Sequence, residues 1–224
     1  MRRLFILIAA CFLFFSLSGM AGATIITDTL DIDFRSDVWS GAHGNDPYSV
    51  VYPGVTVKAN VTKSRGRLYQ DSIDGLGILG DENDEIDDFE RLDITFTTAQ
   101  YLEGVWITDL FGPPDGNHPV NGEIGRVKLY DESNTYVQDY VFLGKDAHQG
   151  NGELYVDFTG LDVKVFKARF FVVDMPVTNY NHVNDSCDNE FSVAGFNVAP
   201  VPEPATMVLF GMGLIGLAGV CRKK

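Results

Sequence analysis

Between Thr24 and Ala199 apolar residues recur at every second position over short stretches, and no 3.6-residue period is sustained. That is the signature of half-buried strands, whose successive side chains point to opposite faces. The clearest case is "RLDITFTT", where Leu92, Ile94 and Phe96 share one face and Asp93, Thr95 and Thr97 the other. The same logic predicts strands in "SVVYPGVTVKANV", "YLEGVWITDL", "IGRVKLYDE", "TYVQDYVFLG", "GELYVDFTG", "VKVFKARFFVVDM" and "FSVAGFNV", all rich in β-branched and aromatic residues. In the last but one, Phe166, Ala168, Phe170 and Val172 alternate with Lys167, Arg169 and Phe171.

The punctuation agrees with strands. Pro53-Gly54 interrupts the first of them, and Asp74-Gly75, Asp115-Gly116, Asn121-Gly122 and Asn151-Gly152 are pairs that tolerate positive φ and close tight turns. Eight or so strands joined by polar turns predict an all-β fold, an antiparallel two-sheet sandwich of jelly-roll-like architecture. An outer-membrane barrel is disfavoured, because the outward positions carry Asp, Lys and Arg where lipid requires an apolar band. Two segments read as loops: "DSIDGLGILGDENDEIDDFE" and "FGPPDGNHPVNGE".

The two ends follow other patterns. At the start, Arg2 and Arg3 precede the apolar run Leu4–Leu17, and Ala21-Gly22-Ala23 supplies small residues at the −3 and −1 positions of a signal-peptide cleavage site before Thr24. At the other end, the uncharged run Ala205–Val220 is followed by Arg222, Lys223 and Lys224, the order of a single transmembrane helix with a basic stop-transfer anchor. The predicted domains are therefore a signal peptide (1–23), a β-sandwich ectodomain (24–199) and a tail (200–224).

Charge changes the picture of partners. The chain has 17 Lys and Arg against 31 Asp and Glu, and five of the basic residues lie in the two ends. The stretch from Thr24 to Cys221 therefore holds 12 basic and 31 acidic residues, a formal charge of −19. A surface that acidic repels phosphate backbones, which excludes nucleic acid as the expected partner. Its natural counter-ligand is a divalent cation; the competing expectation is simple solubility in the periplasm or outside the cell.

Seven carboxylates crowd into residues 81–90, with Asp81, Asn83, Glu85 and Asp87 at alternating positions and Asp84 between them. Oxygen ligands at this spacing suit Ca²⁺, which takes six to eight oxygens, although Ile86 and Leu92 stand where an EF-hand requires Gly and Glu. The competing expectation is a solvated loop anchored by Ile86 and Phe89. A second, weaker grouping joins Asp31 and Asp33 to Asp185, Asp188 and Glu190, because first and last strands often neighbour each other in jelly rolls.

Catalytic signatures are missing. His43, His118, His148 and His182 occur singly, Cys187 is the one cysteine of the ectodomain, and no G-x-S-x-G, P-loop or H-E-x-x-H motif is present. The expectation is no enzyme. Among aromatics, Trp39 in "SDVWSGAHGND" reads as a surface platform for sugar stacking, with Tyr48 and Tyr180 as further candidates, and Trp106 as core.

The triplet Pro202-Glu203-Pro204, the apolar helix and the basic cluster together resemble the PEP-CTERM sorting signal of exopolysaccharide-producing Gram-negative bacteria. The resemblance covers about 24 residues. It implies recognition of Pro202-Glu203-Pro204 by an exosortase, a membrane-embedded cysteine transpeptidase, with the helix left behind and the ectodomain released or passed to a surface acceptor. "NDEID" followed by "ERLDITF" is similar to some PEP-CTERM ectodomains, a likeness that implies no activity. The expectation is an exported surface or matrix protein associated with exopolysaccharide or biofilm. The alternatives are a carbohydrate-binding module of the secreted matrix and a secreted hydrolase.

Overall fold

The computed structural model describes residues 30–62, 66–80, 85–87, 90–112, 122–148, 150–173 and 190–199. Twelve strands form within them: β1 (Ile32–Asp33), β2 (Tyr48–Tyr52), β3 (Val55–Val61), β4 (Arg67–Gln70), β5 (Leu76–Leu79), β6 (Leu92–Gln100), β7 (Leu102–Thr108), β8 (Ile124–Tyr130), β9 (Tyr136–Leu143), β10 (Leu154–Asp157), β11 (Val165–Val172) and β12 (Ser192–Val198). One sheet has the order β10-β7-β12-β5-β4, with β1 also on β12; the other runs β2-β3-β6-β11-β8-β9. Every pairing is antiparallel. The chain passes from one sheet to the other at a corner of one residue, Tyr101, between β6 and β7.

The core lies between the sheets. On β6, Leu92, Ile94 and Phe96 are fully buried as their alternation predicts. Phe196 of the opposite sheet meets Phe96 edge-on at 5.6 Å and Phe170 at 6.0 Å, and Phe34 at 5.9 Å. Burying each such ring contributes about 1.5–3 kcal/mol through the area removed from water. A glycine makes one of these contacts fit: Gly125 stands opposite Phe142, and a Cβ there would lie 2.0 Å from that ring. The β2–β3 hairpin turns at Pro53-Gly54, where Gly54 has φ +81°, which only glycine adopts without strain.

The sequence pattern fails at four places, each for a physical reason. "DSIDGLGIL" was expected to be loop, yet β5 is an interior strand between β4 and β12. Leu76, Gly77 and Ile78 are all buried, so the segment has no polar face to alternate with. The strands β1 and β4 are too short to show a period. Between Val165 and Lys167 the β11–β6 register shifts, two residues on β11 spanning five on β6, and here Val165 is fully buried and Phe166 only partly. Trp39, expected on the surface, is fully buried: the six-residue 3₁₀ turn Asp37–Ala42 directs Trp39 and Ala42 to one side, three residues apart. Its indole N–H donates to the Tyr52 hydroxyl at 2.7 Å, and its ring meets Phe34 at 4.9 Å.

Candidate functional site

The β6–β7 corner and the β10–β11 turn enclose a cleft of about 580 Å³ that opens beside Ala199. Its aromatic walls are Tyr101 and Tyr155, and Glu103, Asp157 and Asp162 supply carboxylates. Strand pairing sets Tyr155 opposite Trp106 and Asp157 opposite Gly104. Gly104 has no side chain, and the Tyr155 ring occupies the space a Cβ would take, at 2.4 Å from its position. Trp106, 4 % exposed, backs that ring at 5.1 Å. Trp106 is thus buried as expected.

The turn that closes the cleft is fixed from below and above. Phe158 is buried against Tyr140 at 4.6 Å, and its N–H donates to the Glu103 carbonyl at 2.8 Å. Asp157 accepts from the Thr159 N–H at 2.7 Å and from its hydroxyl. Lys164 carries its ammonium 5.4 Å from the Tyr101 ring centre. Burial first, and then the charges of Asp157 and Glu103, push the Tyr155 hydroxyl up to about 12. It therefore stays a neutral donor at neutral pH. Hydroxyl-rich ligands suit such a wall, because carboxylates accept their protons and tyrosine rings cover their apolar faces.

The acidic segment is only partly in view. Ile86 is fully buried and its N–H donates to the Phe191 carbonyl at 2.9 Å, so it anchors the segment as expected. Glu85 and Asp87 flank it and are half-buried. Glu90 serves the backbone: 1 % exposed, its carboxylate accepts from the Asp87 N–H at 3.3 Å. Asp81, Asn83, Asp84 and Phe89 lie outside the described residues. Among the described residues no group of three His, Cys, Asp or Glu side chains is placed to hold a metal ion.

The described members of the second acidic grouping have partners of their own. First and last strands do adjoin, with Ile32 opposite Phe196. Asp33, however, is held by the Arg35 side chain at 3.0 Å, and Asp31 accepts from the Val198 N–H at 2.8 Å. Glu190 sits elsewhere, beside Glu123, while Asp185 and Asp188 fall outside the described residues. At that end of the sandwich Glu123 accepts from the Phe111 N–H, and burial pushes its carboxyl up to about 8.

Of the other candidates, Tyr48 turns inward against Trp39 at 5.9 Å. His43 lies beside Tyr69, and His148 bonds Asn151 at 2.9 Å. Tyr180, His118, His182 and Cys187 lie outside the described residues. Tyr101 and Tyr155 were not picked out from the sequence, since nothing in the order of residues tells that a tyrosine will lie across Gly104.

Ala199, just after β12, lines the cleft and donates its N–H to the Tyr101 carbonyl at 2.8 Å. The predicted signal cleavage residues Ala21 and Ala23, the triplet Pro202, Glu203 and Pro204, the run 205–220 and the cluster Arg222, Lys223 and Lys224 fall outside the described residues. Among the described residues no helix is long and apolar enough to cross a membrane. No curated protein matches the chain. A family model described as the PEP-CTERM protein-sorting motif matches residues 200–223. The chain thus carries a PEP-CTERM protein-sorting motif at its tail, and that motif indicates sorting by an exosortase and export through the cell envelope to the surface.

Proposed function

We propose that the β domain associates with the exopolysaccharide of a Gram-negative cell surface or biofilm and works as a non-catalytic binding protein. The observation that carries this is the cleft, in which Tyr101 and Tyr155 stand among Glu103, Asp157 and Asp162. Two rings and three acceptors suit a chain of sugar rings whose hydroxyls need partners. Ala199, which lines the cleft, stands three residues before the sorting triplet in the sequence, so cleavage at the triplet leaves the cleft residues on the released part. A Ca²⁺ ion on the 81–87 segment remains part of the proposal, supported by the crowding of carboxylates around Glu85 and Asp87.

The test is retention of the protein, recovered from the medium, on a column of the producing cell's own polysaccharide. Tyr101→Ala and Tyr155→Ala should each weaken retention about three- to tenfold, the worth of one ring contact. Equal retention of wild type and both variants would remove the cleft from the proposal. Shortening of the bound polymer over time would favour the secreted-hydrolase alternative.

A further inference from the structure

The outward face of the β2-β3-β6-β11-β8-β9 sheet concentrates basic residues in an otherwise acidic domain. Five of the 12 basic residues between Thr24 and Cys221 stand on it: Lys58, Arg126, Lys128, Lys167 and Arg169. Strand register lines them up. Lys58 is opposite Thr95, Thr95 opposite Lys167, Lys167 opposite Tyr130 and Tyr130 opposite Tyr136, a row that crosses five strands. At about 4.8 Å per strand the row is about 19 Å long. Arg169 and Lys128 stand side by side in the next row.

Two of the five charges are spent within the face. Arg169 grips Asp93 with two bonds of 2.6 Å, and Arg126 reaches Asp139 at 3.4 Å. The three lysines have no ion-pair partner among the described residues. Lys58 is exposed. Lys167 lies 4.3 Å from the Tyr130 ring centre and bonds the Asn134 side chain, while Lys128 lies 5.4 Å from that of Phe171. Rings under two of the ammonium groups hold them in place without neutralising them. Tyr136, 51 % exposed, extends the aromatic surface edge-on to Tyr130 at 6.4 Å.

We infer that this face binds an anionic polysaccharide, with carboxylates at Lys58, Lys128 and Lys167 and a sugar ring over the exposed Tyr136. The inference rests on the proposed association with exopolysaccharide and adds the class of polymer. Sparse charge is what fits. Duplex DNA, at one charge per 1.7 Å, would bring on the order of ten phosphates to a 19 Å row with few free cations, and its flanks would meet the acidic remainder of the domain. A polysaccharide with at most one carboxylate per ring spaces its charges well beyond those of duplex DNA, so its carboxylates meet the lysines with uncharged sugar between them. The cleft, lined by carboxylates, would repel the same acidic groups, so the two surfaces divide neutral and charged sugars between them.

The experiment measures binding of the protein recovered from the medium, free of detergent, to polygalacturonate, dextran, duplex DNA and phosphatidylglycerol vesicles. The variant is Lys58→Gln with Lys128→Gln and Lys167→Gln; Arg169 and Asp93 are kept because their pair is partly buried. Polygalacturonate should bind the wild type, and the triple variant should lose at least about tenfold in affinity. The wild type should lose a similar factor as the Debye length falls from about 10 to 3 Å between 0.1 and 1 M salt. Undiminished binding by the triple variant overturns the inference, as does DNA or vesicle binding of equal strength, or a fall in oligomeric mass on lysine replacement, which would assign the face to a second copy. If Tyr155→Ala weakens retention on native polysaccharide while the lysine variant does not weaken polygalacturonate binding, the cleft stands and this face fails. If no polysaccharide binds at all, both fail.

Discussion

Ala199 donates its backbone N–H to the Tyr101 carbonyl at 2.8 Å, so the end of β12 is tied to the corner between the two sheets. The corner that lines the cleft and the end of β12 therefore form one fixed point of the fold.

Replacing Pro202 and Glu203 by Ala should stop tail processing and leave the rest untouched. The substitutions remove the recognition element and keep the signal, the apolar run and the Ala199–Tyr101 bond. Full-length protein should accumulate in the membrane fraction, measured by intact mass. Release of a tail-less form at the normal rate would separate processing from the triplet.

Gly125→Ala should destabilise the domain by about 1–3 kcal/mol through overpacking. The new methyl would meet Phe142 atoms at 2.0 and 2.4 Å and a Phe191 atom at 2.8 Å, and these two rings are themselves packed edge-on at 5.0 Å. Adding Phe142→Leu should recover part of the loss. A melting temperature unchanged by Gly125→Ala would mean that β8 and β9 are not in the register described.

Much of the fold is legible in the residue pattern because β3, β6 and β8 each show their core face in the chain order. What escapes has lost that signal. β5 is buried without a polar face, Trp39 is turned inward by a 3₁₀ turn that no periodicity announces, and Phe166 stands where the β11–β6 register shifts. The sites escape for a different reason. Tyr155 meets Glu103 and Ala199, and Lys58 meets the row of Lys167, only through pairings between distant strands. A sequence states which residues share a strand face; it does not state which strand lies alongside.

Millimolar Ca²⁺ should raise the melting temperature if the 81–87 segment takes the ion, since binding to the folded state alone adds about 2.7 kcal/mol at a hundredfold excess over Kd. The informative variant combines Asp81→Asn, Asp84→Asn, Glu85→Gln and Asp87→Asn. Glu90 is left in place because it holds the Asp87 N–H. The rise should vanish in this variant. Indifference of the wild type to both EDTA and Ca²⁺ would leave a solvated loop pinned by Ile86.

Glu123 should make stability fall between about pH 4.5 and pH 8. Burial is the main cause of its raised pKa, from 4.5 to about 8, and the neighbouring Glu190 and Asp109 add to it against the Phe111 and Glu190 N–H bonds. Below the lower value both folded and unfolded chains hold the proton, so the group has no effect. As pH rises, the unfolded chain releases its proton while the folded one keeps it, and the folded state loses ground until its own carboxyl ionises near pH 8. At 1.36 kcal/mol per unit the shift bounds this loss at roughly 5 kcal/mol. Glu123→Gln keeps an oxygen for the Phe111 N–H and has nothing to titrate. The variant should therefore melt close to wild type near pH 4.5 and increasingly above it towards pH 8. A difference that stays constant across that range would show Glu123 ionising as an ordinary carboxylate, with the Phe111 and Glu190 N–H groups outweighing its burial.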